Sequence, residues 1–232
     1  MSKASIKNNL AVVRQHLSHA ATEAGRSPEE IQLIAVSKTK SAAMINEAVL
    51  ASHSVFGENM VQEAINKMSA LNNIYNIEWH MIGHLQKNKV KFCPGNFQWI
   101  HSIDSIELAK KLEGRCALKQ QNINVLIQVN ISQEKSKYGI QKFDELFQLA
   151  ETLHAGHWIK LRGLMTIPKP DLGEVSTRKI FEKLRMWRDQ LQKELCAPEI
   201  NELSMGMTAD FKWAIHEGAT MIRLGTAIFG PR

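Results

Sequence analysis

The chain has 232 residues, 44% of them apolar, 22% charged and 6% aromatic, a balance that excludes a disordered, collagenous or low-complexity protein. That length suits one large domain or two small ones, and no apolar run reaches the roughly 20 residues a membrane-spanning helix needs. The formal charge of +6 agrees with anionic ligands; its densest basic stretch, Lys87, Lys89 and Lys91, lacks the interleaved aromatics of a single-strand platform, so nucleic acid is not an expected partner.

The polar start, Met1 to Leu10, lacks the apolar centre of a signal peptide, and the expected location is cytoplasmic. Ile6, Leu10, Val13, Leu17 and Ala21 then recur at helical spacing, and Gly25 and Pro28 stop that helix. Ile31 to Val36 is a compact apolar run that reads as a buried strand, followed by Ser37-Lys38-Thr39-Lys40 and a helix over Ser41 to Ala51. Further strands are expected at Ser54 to Phe56, Glu78 to Ile82, Trp99 to Ile103, Asn124 to Asn130, Leu161 to Ile167, Glu202 to Met205 and Thr220 to Leu224. Helices are expected between them, at Glu58 to Leu71, Asp104 to Gln120 with an acidic cap, Phe143 to Leu153 and Glu174 to Leu195. The last, Thr208 to Glu217, is expected to be capped by Thr208 and closed by Gly218.

Strands alternating with helices predict parallel pairing with right-handed crossovers. Eight strand candidates in this length predict a closed α/β barrel: a single (β/α)8 TIM-barrel domain over 1–232, with an extra N-terminal helix. The alternative is an open doubly wound sheet, but no GxGxxG follows an early strand. The three cysteines, Cys93, Cys116 and Cys196, are far apart without a CxxC, which argues against a disulfide framework or a zinc site.

Functional groups of such barrels gather where strands end and loops begin. Closure places the eighth strand beside the first and the seventh beside the eighth. Lys38, Ser204, Arg223, Gly225 and Thr226 are therefore expected at one rim, the usual phosphate site of these barrels. Glycine lets the backbone approach an anion, hydroxyls donate, and helix N-termini add oriented N–H groups. A lysine beside such a cradle suits pyridoxal phosphate, whose aldehyde condenses with an amine. Arg223, always charged, disfavours protonation of a pyridine nitrogen facing it, so the ring would stabilise carbanions less well.

Other residues carry weaker signals. His80 and His84 stand at a helical spacing in a segment that reads as strand and loop, so no metal is expected and His80 is read as packing in the barrel wall. Glu58 reads as a first-turn helix acid and Asn59 as the better ligand candidate. Lys40 reads as a surface charge, with a spare amine near the rim as the alternative. Lys135 and Lys137 read equally well as a basic lip for phosphate or a recipient protein and as a solvated loop.

The stretches AVSKTK (35–40), FGEN with VQEA (56–64), WHMIGHLQKNK (79–89), LRGLMTIP (161–168), LSMGM (203–207) and RLGTAIFG (223–230) resemble, in order and along nearly the whole chain, the YggS/PROSC family of pyridoxal phosphate homeostasis proteins. That family's barrel is similar to the N-terminal domain of alanine racemase. The resemblance implies that Lys38 is the Schiff-base lysine, that Ser204, Gly225 and Thr226 hold the phosphate, that Arg223 faces the pyridine nitrogen and that Asn59 lines the ring. It also implies a role in carrying or buffering the cofactor within vitamin B6 balance, without turnover, with cofactor-dependent apo-enzymes as candidate recipients and the chain acting as a monomer. Met60, Ser41 and Thr208 depart from the residues common in relatives: tyrosine, proline and serine. A small racemase or lyase is the alternative; alanine racemase completes its site with a second domain and a partner subunit, and this chain stops at Arg232.

Overall fold

The computed structural model describes residues 5–71, 76–134 and 137–231. Its strands are β1 Gln32–Val36, β2 Val55–Glu58, β3 Glu78–Met81, β4 Trp99–Ile103, β5 Ile123–Gln128, β6 Ile159–Met165, β7 Glu202–Ser204 and β8 Met221–Leu224. They form one closed barrel in chain order, every neighbouring pair parallel, and β8 returns to β1 with Ala35 opposite Leu224. The helices are α1 Ile6–Glu23, α2 Ala42–Leu50, α3 Val61–Ala70, α4 Ile106–Lys119, α5 Phe143–His154, α6 Glu174–Leu195, α7 Phe211–His216 and α8 Thr226–Phe229. The (β/α)8 barrel expected from the alternating pattern is the fold.

α1 is the additional helix. Ser5 caps it by accepting from the Asn8 N–H, and Ile6, Leu10, Val13 and Leu17 are buried where it lies across α2, α7 and α8. The β3–β4 crossover carries a 3-10 turn, Val90–Phe92, in place of an α-helix. Among the described residues, no helix is long and apolar enough to cross a membrane.

Two apolar regions hold the barrel. The large one lies between strands and helices, with Phe56, Ile100, Leu164 and Ile222 meeting Ile45, Leu112, Leu149 and Phe181; each such buried side chain contributes about 1.5–3 kcal/mol. The small one is inside the barrel, formed by Ile34, Leu126, Met165 and Met221. Buried polar side chains also occupy the interior: bonds link His80 and His101 on β3 and β4 to Ser204 and Arg223 on the opposite wall.

Several boundaries differ from the sequence reading for local reasons. Glu58 is the last residue of β2, not a first-turn helix acid, because its carboxylate accepts from the Ser37 hydroxyl at 2.5 Å and pairs with Lys67 at 2.7 Å. Ser105, not Asp104, caps α4. Thr208 caps nothing: α7 starts at Phe211, and the Asp210 carboxylate takes the Met207 N–H at 2.6 Å. β5 stops at Gln128 and β6 starts at Ile159. The four-residue α8 is too short to show a period in the sequence.

Candidate functional site

Pairing of β1 with β8 puts the end of both strands at one rim. Gly225 follows β8 so closely against β1 that a Cβ on it would lie 3.2 Å from the Val36 carbonyl oxygen. Lys38 is two residues beyond Val36, and α8 begins at Thr226. The Arg223 N–H donates to the Gly206 oxygen at 3.0 Å, which brings the β7–α7 turn to the same place. Gly206 has φ +95, and a Cβ there would meet that of Ala214 at 2.7 Å, so this turn requires glycine. Lys38, Ser204, Arg223, Gly225 and Thr226 thus sit on adjacent strand ends, as strand order alone suggested.

The backbone around Lys38 is anchored on both sides. The buried Lys67 ammonium on α3 donates to the Ser37 oxygen, to Glu58 and to Glu63, each at 2.7 Å. Glu63 in turn accepts the Thr39 N–H at 2.5 Å. Thr39 has φ 64, a left-handed conformation that costs a β-branched residue about 1–3 kcal/mol. Burial pushes the Glu58 carboxyl upward against its bonds to Lys67 and Ser37. Burial pushes Glu63 the same way, but the bonds from Lys67 and Thr39 and the charges of Lys67 and Lys38 outweigh it and hold its carboxyl low. Lys40 is a half-buried surface charge that is tied down: its ammonium donates to the Gly230 and Pro231 oxygens at 3.1 and 2.7 Å.

Arg223 is buried inside the barrel, where desolvation lowers it to about 10 against the opposing charge of Asp210. It donates to the Thr166 oxygen at 2.9 Å and to the Ser204 hydroxyl. The Ser204 oxygen also lies 2.9 Å from His101 Nδ1. The hydroxyl expected to meet a phosphate is therefore engaged on both sides and fully buried. Thr208, on the turn after β7, is exposed.

Two adjoining cavities open at this end. The larger, about 500 Å³, is lined by Lys38, Asn59, Met60, Glu63, His84 and Tyr138 among others. The smaller, about 210 Å³, shares Asn59, Gly83, His84 and Tyr138 and reaches Asn130 and Lys137. Lys38 and Asn59 face the larger space; Arg223, Ser204, Gly225 and Thr226 line neither cavity. The His84 ring stacks on Tyr138 with centroids 3.6 Å apart and faces Asp104 at 3.6 Å. Lys137 is tethered, pairing with Glu134 at 2.6 Å and donating to the Pro168 oxygen at 2.9 Å. Lys135 lies outside the described residues.

The sequence reading missed Lys67 and His101. A signal existed for each. Lys67 shares a helical face with Val61, Ala64 and Met68, all buried. His101 alternates with Trp99 on a strand whose neighbours Ile100 and Ile103 are fully buried.

The sequence model described as "Alanine racemase, N-terminal domain" matches residues 1–232. A pyridoxal phosphate homeostasis protein of Escherichia coli (strain K12) is 44% identical over 229 residues, 98% of this chain and 97% of that one. The solved structure of PipY from Synechococcus elongatus PCC7942 without PLP superposes with a TM-score of 0.89 at 36% identity, covering 97% of this chain and all of that one. PipY with PLP bound superposes with a TM-score of 0.86 at the same identity and the same 97% of this chain, again covering the whole of that one. Matched along its whole length by the one and over 98% of it by the nearer relative, the chain belongs to the alanine racemase N-terminal domain family, among its pyridoxal phosphate homeostasis proteins.

Proposed function

We propose that this chain binds pyridoxal phosphate at the carboxyl-end rim, holds it covalently on Lys38 as a Schiff base, and serves cofactor homeostasis without turnover of its own. The observation that carries this reading is the anchoring of Lys38 on both sides at the wall of a cavity of about 500 Å³, a size suited to a small ligand. The donor chemistry fits: an amine, an amide from Asn59, a buried guanidinium that cannot accept a proton, and backbone at Gly225–Thr226 where α8 starts. When bound, pyridoxal phosphate supplies an aldehyde that a lysine amine takes up with loss of water.

Each residue has a part. Lys38 provides the amine, and Asn59 lines the ring. Arg223, buried inside the barrel and lining neither cavity, is assigned to the ring nitrogen by the family resemblance, where a guanidinium would keep it unprotonated. Gly225 and Thr226 hold the phosphate, with the exposed Thr208 as the further hydroxyl on the neighbouring turn. Ser204 acts through Arg223, because its hydroxyl is engaged there and at His101. Names of the relatives support a homeostatic role over catalysis.

The test is an absorption spectrum of the purified protein with pyridoxal phosphate, before and after borohydride, beside Lys38→Ala. The expected result is a visible band that reduction traps in the wild type and that the variant lacks. A wild type that stays colourless, or a variant with the same band, overturns the assignment. Incubation with single L-amino acids and chiral analysis then separates carrier from enzyme; formation of a D-isomer or another product rejects the absence of turnover.

A further inference from the structure

Arg223 does not end at Ser204. From Ser204 the bonds run to His101 Nδ1 at 2.9 Å, from His101 Nε2 to His80 Nδ1 at 2.8 Å, and from His80 Nε2 to Glu78 Oε1 at 2.7 Å. The path crosses the interior from β8 and β7 to β4 and β3. Glu78 is the first residue of β3, so it stands at the amino end of the barrel, away from the rim.

The direction of every bond follows from its two ends. A guanidinium only donates and a carboxylate only accepts. Glu78 stays ionised because the His80 bond outweighs burial, with the Gln32 and Trp99 side chains also donating to it. Burial lowers both imidazoles below their ordinary value, at His80 against the bond and charge of Glu78 and at His101 with the charge of Arg223 acting the same way, so both rings are neutral at pH 7 and above. A neutral ring has one donor and one acceptor. His80 therefore donates from Nε2 and accepts at Nδ1, so His101 carries its proton on Nε2. His101 Nδ1 then accepts from the Ser204 hydroxyl, which accepts from Arg223. Tautomers assigned from the network in this way leave no bond with two donors or two acceptors.

We propose that Ser204, His101 and His80 form a one-way hydrogen-bond chain that pins the Arg223 guanidinium and makes Glu78, at the far end of the barrel, its remote positioning residue. The chain compensates buried polar atoms that would each be costly alone. It also locks the serine hydroxyl: with His101 fixed as acceptor, Ser204 has no proton to offer an anion at the rim. The proposal rests on the reading of Arg223 as the residue facing the cofactor ring.

The test reads imidazole nitrogens directly in the ligand-free protein labelled with ¹⁵N-histidine. Long-range ¹H–¹⁵N correlation is expected to show His80 and His101 both as neutral Nε2–H tautomers at pH 8 and pH 7. Glu78→Ala is expected to change the tautomer of at least one ring, and Glu78→Gln, whose carbonyl still accepts, to restore both. Should Glu78→Ala fail to fold, Ser204→Ala serves: it is expected to shift the His101 Nδ1 resonance and leave His80 unmoved. A protonated ring at pH 7, a His101 Nδ1–H, or Ser204→Ala with an unchanged His101 overturns the chain. With pyridoxal phosphate added, Glu78→Ala is expected to bind about fivefold more weakly, the worth of one lost hydrogen bond, with Glu78→Gln near the wild type. Equal affinity in Glu78→Ala and the wild type overturns the link to Arg223. A wild type that binds no pyridoxal phosphate sinks the functional reading instead, while the tautomers still decide the chain.

Discussion

The Lys67 ammonium donates to the Ser37 carbonyl oxygen at 2.7 Å, so a buried charge on α3 holds the residue immediately before Lys38. The same ammonium is the counter-charge of Glu58 and Glu63. Lys67→Met keeps the aliphatic stem and leaves Glu58, which is fully buried, without its cation. Breaking a buried pair from one side typically costs about 3–5 kcal/mol. The expected outcome is a fall of that order in unfolding free energy, read by urea titration, with a smaller yield of borohydride-trapped cofactor. Glu63→Gln, which keeps an acceptor for the Thr39 N–H, is expected to lose less.

Acid weakens the fold through His53. Its Nε2 bonds the Val55 oxygen at 2.8 Å, and burial lowers it from 6.5 to about 4. Between those values the unfolded chain binds a proton that the folded chain does not, so stability rises with pH and is lost as pH falls from 6.5 towards 4. The loss from this residue between pH 7 and pH 5 is about 2 kcal/mol. His80 and His101, also held neutral by burial, add the same sign. Urea midpoints at pH 7 and pH 5 are expected to differ less in His53→Gln than in the wild type.

Gly206→Ala tests the turn that supports Arg223. The added methyl would stand 2.7 Å from the Ala214 Cβ and 3.0 Å from the Phe211 Cα, on backbone at φ +95. A loss of about 1–3 kcal/mol is expected. Because the Gly206 oxygen accepts the Arg223 N–H, weaker binding of pyridoxal phosphate is expected with it, read by the same absorbance titration.

Lys40→Met removes the two bonds to Gly230 and Pro231. Being near the surface, they are worth about 1 kcal/mol together, so the melting temperature should barely move. Amide exchange at Phe229 and Gly230 is expected to quicken, showing that Lys40 fastens α8 to the loop after β1.

Strand alternation made the barrel legible, and barrel closure made the rim legible: Lys38 and Gly225 are neighbours because β1 and β8 must meet. What stayed hidden depends on contacts between distant side chains. Glu58 reads as a helix acid until Ser37 and Lys67 are seen around it. Ser204 reads as a rim hydroxyl because its loop neighbours are known and its depth is not. His80 reads as wall packing because its partner, His101, is 21 residues away on the next strand. Lys40 reads as a surface charge because its acceptors are backbone oxygens 190 and 191 residues away. Period and propensity report which face a residue takes, not which polar atom waits there.

Anchoring on both sides of Lys38 has a kinetic consequence. A lysine whose flanking backbone is tied to α3 reaches into the cavity through its own four-carbon stem. Departure of whatever it holds then needs no movement of the backbone beside Lys38. Under the proposed function, escape then requires water to cleave the bond to the Lys38 amine, and the expected rate-limiting step is that hydrolysis and not hydrodynamic drag on a moving segment. A release rate that is indifferent to solvent viscosity and steep in pH is the signature of such a rigid holder.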